Sequence, residues 1–225
     1  MLFQCPISTP KCVFYWETKT LTMKMRIWKA KLNMYKYIQN LSDNTLAREI
    51  FNEQKRNKFP GLVTECESLA DDLGILNDLE NLKVGKAEFK QIVKRAIDKK
   101  NEEILREEMS KYSKLRDLTG DDYGRKDYLK DLSLQEARVK FRTRCYMTEL
   151  AFNFRNKPEY ANNLWICVSC HAAVDTFAHQ KWCVAHADLR EGRDLHCDKD
   201  LVWYISQVMK RRETKRLNTI PRVNY

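Results

Sequence analysis

The chain has 225 residues, of which 32% are charged and 43% are hydrophobic, with 6 glycines and 5 prolines. This composition excludes collagen-like and extensively disordered proteins, and it favours a helical globular protein with one sizeable domain or two small ones. The net charge of +10 favours a polyanionic partner, RNA or DNA. Because no apolar run reaches the length of a membrane span, we expect no membrane partner.

The predicted elements begin after an irregular leader, residues 1–20, which contains Pro6 and Pro10. From residue 21, apolar side chains recur at three- and four-residue steps with lysines between them, a pattern typical of an amphipathic helix. The first apolar series consists of Trp28, Leu32, Tyr35, Ile38 and Leu41. The next helix is predicted to start from an N-cap at Ser42 or Asp43. Its apolar residues are Leu46, Ile50 and Phe51.

Two further helical segments precede a loop rich in turn residues, 118–128. The apolar face of the first consists of Leu62, Cys66, Leu69 and Leu73. The second segment is predicted to be one long helix or two abutting helices, with a buried side of Phe89, Val93, Ala96, Ile97, Ile104 and Met109. Downstream of the loop, Ser133 and Glu136 have the spacing of a capping box, which predicts the start of another helix.

Together these patterns predict a mainly α fold: an array of short helices, then a small CCHC zinc-knuckle-like element, then a C-terminal helix. The predicted organisation is a leader at 1–20, a helical region at 21–130, a zinc-knuckle domain at 131–209 and a basic tail at 210–225. The tail begins KRRETKR, which favours a nuclear location for an intracellular protein.

A cluster of cysteines and one histidine has the spacing Cys167-x2-Cys170-x8-His179-x3-Cys183. Two cysteines separated by two residues form a tight turn with converging thiolates, and a histidine and a cysteine four residues apart share one side of a helical turn. Three thiolates and one imidazole are a set that Zn²⁺ prefers in closed structural sites, where no coordination position remains for a catalytic water. We therefore predict a structural zinc ion.

Other residues close to the four ligands in the sequence are predicted to support the metal site. Trp165, Phe177 and Trp182 are predicted to form a small core around the metal. The spare candidates, predicted to be exposed or to support the ligands, are His171, His186, His196 and Cys197. The alternative interpretation is a set of ordinary buried thiols or a disulfide. Local crowding of cysteine with histidine favours metal and a reducing compartment.

Basic residues lie on both sides of the cluster, and we predict that they contact phosphate groups. The predicted nucleic-acid contacts are Arg138, Lys140, Arg142, Arg144, Arg155, Lys157, Lys210, Arg211 and Arg212. The nearby aromatic residues Phe152, Phe154 and Trp165 are candidates for stacking on unpaired bases. The alternative interpretation is that the aromatic residues belong to the core and the charges only solvate the surface.

Several motifs are similar to those of a known family. FRTR at 141–144, Asn153-Phe154, the cysteine–histidine cluster, LREGRDL at 189–195 and the DLVWYISQVMKRR that follows resemble the C-terminal end of non-LTR (LINE-type) retrotransposon reverse transcriptases. The stretch from Ile27 to Gln54 looks like the region between polymerase and knuckle in that family. The resemblance covers most of the chain after the leader, and it implies a knuckle region that helps to hold template RNA or target DNA.

The residues and the resemblance together predict a zinc-dependent nucleic-acid-binding module with no small-molecule substrate. Acidic pairs at Asp71-Asp72 and Asp121-Asp122 are similar to polymerase signatures, but the first lies in a helical period and the second in a turn. We interpret both pairs as surface acids and expect no enzymatic activity. Two alternatives stay open: a zinc-stabilised helical protein-interaction module, and a non-functional retroelement fragment.

Overall fold

A computed structural model of the protein describes residues 9–112, 115, 118, 123–124, 126–145, 147–148, 150 and 166–219. The described residues are mainly helical, as predicted, and they form no strand beyond one isolated bridge. Among them, no helix is both long enough and apolar enough to cross a membrane. The chain divides into two compact units, which we call the helical unit (Lys11–Tyr112 with Tyr123 and Gly124) and the C-terminal unit (the described residues from 126 onward, with 9, 10, 115 and 118).

The helical unit is organised around one central helix. Its helices are α1 (Lys11–Thr18), α2 (Met23–Gln39), α3 (Leu46–Asn57), α4 (Leu62–Asp72), α5 (Leu76–Glu80) and α6 (Lys86–Ser110). α2 packs against α3, α4 and α6. The buried side chains of this core include Met25, Leu32, Tyr35, Phe51, Cys66, Leu79, Phe89, Val93 and Ile97. The long segment predicted as one helix or two is the single helix α6.

Two parts of the helical unit differ from the sequence prediction. The leader is not irregular throughout, because α1 occupies Lys11–Thr18 and its Trp16 side chain is fully buried. The N-cap of α3 is Thr45 rather than Ser42 or Asp43, and Phe51 is its buried residue. The other two apolar residues of this helix, Leu46 and Ile50, are exposed.

Lys36 of α2 is buried, and its ammonium group lies at the C-terminal end of α5. It donates hydrogen bonds to the carbonyl oxygens of Leu79 at 3.2 Å and Asn81 at 2.7 Å. A cation satisfies carbonyl groups at a helix end, which α5 cannot satisfy internally. Burial lowers the pKa of Lys36, and the carboxylate of Asp78 opposes that effect.

The buried thiol of Cys66 makes the helical unit sensitive to alkaline pH. Burial raises the pKa of Cys66 from 9.0 to about 12, with the positive charge of Lys31 opposing and Glu65 adding to the shift. The thiol's contribution to stability is therefore complete below pH 9 and is lost between pH 9 and 12. We expect wild type to lose more unfolding free energy than Cys66→Ala over this range, by up to about 1.4 kcal/mol per pH unit. Urea denaturation across the pH series measures this, and parallel curves would contradict it.

The C-terminal unit places its longest helix beside the cysteine-rich segment. Its elements are α7 (Tyr128–Asp131), α8 (Leu134–Arg144), α9 (Phe177–Trp182), a 3-10 turn (Val184–His186), α10 (Ala187–Arg190) and α11 (Asp198–Thr219). The predicted capping box is confirmed, because the Ser133 hydroxyl accepts from the Glu136 backbone N–H and the Glu136 carboxylate accepts from the Ser133 N–H. Among the described residues of this unit, Leu201, Tyr204, Ile205 and Val208 of α11 form one core cluster. Residues 210–219, predicted as a tail, continue α11.

Candidate metal centre

The first two cysteines lie in a tight reversal of the chain. An antiparallel bridge joins Ile166 to Val174, and the Cys167 N–H donates to the Ala173 carbonyl at 2.8 Å. The turn is closed by a hydrogen bond of 2.8 Å from the His171 N–H to the Cys167 carbonyl. His171 has a φ of 55°, in the left-handed region. This conformation turns the chain directly after Cys170, so both thiols face the same side.

The second pair of ligands comes from α9. The Thr176 hydroxyl caps this helix by accepting from the backbone N–H of His179 at 3.1 Å. Starting the helix at this point places His179 one turn before Cys183, which is the C-cap residue. The two side chains therefore lie on one side of α9, as the sequence spacing predicts.

The four predicted ligands converge. Their ligand atoms all lie within 4.8 Å of one another. The Sγ atoms of Cys167 and Cys183 are 3.9 Å apart, and the Sγ of Cys170 is 3.3 Å from Nε2 of His179. Tetrahedral zinc with Zn–S bonds of about 2.3 Å separates its sulfur ligands by about 3.8 Å, whereas a disulfide bond is about 2.05 Å. The separations therefore fit a metal ion, and the described cysteines are free thiols.

Hydrogen bonds aimed at sulfur favour the thiolate form that binds metals. The Ser169 N–H donates to Cys167 Sγ at 3.4 Å, and the Gln180 amide donates to the same atom at 3.2 Å. Burial raises the pKa of Cys167, but hydrogen bonds from the Cys170 and Ser169 backbone and from Gln180 outweigh burial and lower it to about 6. Burial raises the pKa of Cys183 to about 12. These hydrogen bonds therefore favour the thiolate form of Cys167.

A buried ion pair ties the cluster to α11. The two terminal nitrogens of the Arg212 guanidinium, Nη1 and Nη2, both donate to the carboxylate of Asp175, with Nη1 at 2.8 Å from Oδ1. Both residues are buried. The Gln180 amide donates to the same carboxylate while it donates to Cys167. Arg212, Asp175, Gln180 and Cys167 thus form one continuous hydrogen-bonded chain from helix to ligand.

Further contacts hold the C-terminal half of α9. The Tyr204 hydroxyl of α11 donates to the Gln180 carbonyl, and Arg190 donates to the Cys183 carbonyl at 2.8 Å. His186 is buried, and its Nε2 lies 3.0 Å from the hydroxyl of Ser169. The predicted supporting role of His186 is consistent with this contact.

The other predicted neighbours of the cluster occupy different environments. His171, His196 and Cys197 are exposed and lie outside the set of converging ligand atoms. Phe177 packs against the core of α11. Trp182 does not: its side chain is 69% exposed, because it lies on the outer side of α9. Trp165, with Phe152 and Phe154, lies outside the described residues.

The predicted nucleic-acid contacts are not equally accessible. The four basic residues of α8 (Arg138, Lys140, Arg142 and Arg144) are half-buried, and Lys140 pairs with Asp198 at 2.6 Å. In α11, Lys210 is exposed and Arg211 is exposed but paired with Asp188 at 2.5 Å. Arg212 is buried against Asp175, so its charge is already neutralised.

Arg155 and Lys157, also predicted to contact nucleic acid, lie outside the described residues.

The sequence motif identified the four ligands but not the groups that hold them. Asp175, Gln180 and Tyr204 have no distinctive spacing relative to the cysteines, and Arg212 lies in a basic run that is typical of an exposed surface. One signal in the sequence could have found Gln180. It lies between His179 and Cys183, and a polar residue on the inner side of a short helix indicates a hydrogen bond to the site.

Comparison with known proteins identified no relative of this chain. A scan against models of protein families found no match, and searches of curated proteins and of solved structures found none.

Proposed function

We propose that the C-terminal unit is a zinc-stabilised module that binds single-stranded nucleic acid. The zinc part is supported by the convergence of three sulfur atoms and one imidazole within 4.8 Å. The residues that would hold the ion are Cys167, Cys170, His179 and Cys183. Four protein ligands complete tetrahedral zinc, so the metal would stabilise the fold and the module would be a binding protein rather than an enzyme.

The observation that carries the nucleic-acid part is the exposure of Trp182. This indole is 69% exposed and immediately precedes the ligand Cys183. Its backbone would therefore be fixed by the metal, which would keep the exposed ring next to the metal site. An exposed aromatic face stacks on unpaired bases, and the chain's net charge of +10 attracts the phosphate backbone.

The motif resemblance to LINE-type reverse transcriptases is consistent with this partner, and it rests on the motifs alone. Exposed Lys210 is the predicted phosphate contact that keeps its charge accessible among the described residues of α11. A nuclear location, which the segment at 210–216 favours, would place the protein with both RNA and DNA.

We expect the zinc-loaded protein to bind single-stranded RNA or DNA with an affinity that falls linearly on a log–log plot against salt concentration. Trp182→Ala is expected to weaken that binding by roughly 1–3 kcal/mol, fivefold or more, because one stacking contact is lost. Fluorescence anisotropy of labelled oligonucleotides measures both effects, with zinc content determined for each variant. Phe59→Ala, which removes an exposed aromatic ring from the helical unit, is the matched control.

Two results would overturn the nucleic-acid proposal. The first is an affinity that does not respond to salt. The second is equal affinity of Trp182→Ala and wild type at equal zinc content. A zinc-loaded protein that binds no oligonucleotide would instead favour a protein-interaction module, for which Val168 after Cys167 and Val184 after Cys183 provide exposed apolar side chains.

A further inference from the structure

Helix α2 of the helical unit carries an apolar stripe on the side opposite its buried face. Met23, Ile27, Met34 and Tyr37 are between 48% and 62% exposed, and Ala30, which completes the stripe, is exposed as well. At 100° per residue, these five positions lie on the far side of the helix from its core residues. The core therefore does not account for them.

The spacing of the stripe is that of a helix–helix seam. Its residues follow one another at steps of four, three, four and three, which places them at the a and d positions of a heptad repeat. The stripe extends about 21 Å along α2 at 1.5 Å per residue. This length and regularity fit a second helix lying along α2 better than they fit a compact ligand.

The charges beside the stripe are positive. In heptad terms, Lys24 and Lys31 occupy e positions and Arg26 occupies a g position, and the sequence has no Asp or Glu from residue 18 to residue 42. Lys31 forms an ion pair with Glu65 of α4. Lys24 and Arg26 are exposed, and among the described contacts neither has a carboxylate partner.

α6 adds to this positive flank. Lys86 and Lys90 line a groove of 330 Å³ beside Met34 and Tyr37, and both lysines are exposed. The Lys86 ammonium lies 5.1 Å from the centre of the Tyr37 ring. An occupant of the stripe would therefore meet the cations Arg26, Lys86 and Lys90 along the edge that faces α6. On the opposite edge it would meet Lys24.

We propose that the α2 stripe binds an amphipathic helix of a partner protein whose apolar face is flanked by Asp and Glu. Charge complementarity selects this occupant, because e and g residues decide which helices pair. If a second copy of the chain bound through its own stripe, its Lys24 and Arg26 would face the same cations of the first copy, and the like charges would repel. A nucleic acid would satisfy the lysines but would leave the Met and Ile side chains in water.

The test uses the full chain and two designed helical peptides with the same Leu and Ile seam. One peptide carries Glu at every e and g position and the other carries Lys. Fluorescence anisotropy is expected to show the Glu peptide binding at least tenfold more tightly than the Lys peptide. Ile27→Asn/Met34→Asn is expected to weaken binding of the Glu peptide at least tenfold. Ile50→Asn, which changes an exposed apolar residue of α3, is expected to leave it unchanged.

Three results would overturn the inference. Equal affinity for the two peptides would show that flanking charge does not select the partner helix. Dimerisation of the wild-type chain that is lost in Ile27→Asn/Met34→Asn would make the stripe a self-association surface. Weaker RNA binding by the same variant, without peptide binding by wild type, would make it part of a nucleic-acid surface. Neither peptide result depends on zinc or on Trp182, so this inference and the proposed function fail separately.

Discussion

Protein purified without added metal is expected to contain one zinc ion per chain, and Cys167→Ser/Cys170→Ser is expected to contain none. Within the described residues 166–190 the buried hydrophobic side chains are those of the ligands Cys167 and Cys183 themselves, so metal binding would supply much of the free energy that folds this segment. Structural zinc contributes roughly 10–16 kcal/mol in small zinc-binding peptides at neutral pH. The double variant should therefore lose the folded C-terminal unit, and a strong chelator should do the same to wild type.

Elemental analysis measures the zinc content, and circular dichroism and limited proteolysis report the loss of folded structure. Cys197→Ser is the matched control, because this thiol is exposed and lies outside the converging set. It should retain zinc and stability. Zinc retained by Cys167→Ser/Cys170→Ser, or a folded wild-type protein that takes up no zinc from solution, would contradict the assignment of the site.

Arg212→Met is expected to destabilise the zinc-loaded C-terminal unit by roughly 3–5 kcal/mol, because it leaves the buried Asp175 carboxylate without its partner. The neighbouring substitution Arg211→Met breaks an exposed ion pair with Asp188 and should cost far less, because solvent screens both charges. Arg212→Lys should recover only part of the loss, since an ammonium group cannot make both contacts. Urea denaturation of the full chain with zinc present measures the three variants side by side.

The double variant Asp175→Leu/Arg212→Met separates the two roles of the pair. Removing both charges should be less destabilising than removing Arg212 alone, because no unpaired charge stays buried. Equal stability of Arg212→Met and Arg211→Met would contradict the buried pair. It would return Arg212 to the set of surface residues available for phosphate.

The convergence of the three cysteines and one histidine was predictable because its geometry is local. The turn at Cys167–Cys170 and the helical step from His179 to Cys183 each depend on a few consecutive residues, and so does the capping box at Ser133. The same is true of the amphipathic helices, whose apolar period follows from the helix itself.

Features that depend on distant contacts were not predictable. Arg212 reads as one more residue of a basic run, and only the fold places it on Asp175, 37 positions away. Trp182 was expected inside a small core, yet it lies about 140° around α9 from Phe177, and Phe177 takes the inner position. The two prolines before α1 indicate an irregular chain but carry no information about the buried site that Trp16 occupies.

The hydrogen-bonded chain from Arg212 through Asp175 and Gln180 to Cys167 limits how far the protein can be truncated from its C-terminal side without losing the arrangement of the four ligands. The cysteine–histidine motif ends at Cys183, but a protein cut at any point between Val184 and Arg212 would lose the guanidinium that neutralises Asp175. A cut before Tyr204 would also free the Gln180 carbonyl. The segment that holds the four ligands in this arrangement therefore extends at least from Ile166 to Arg212, and proteolysis between Asp198 and Arg212 would disable the site without touching a ligand.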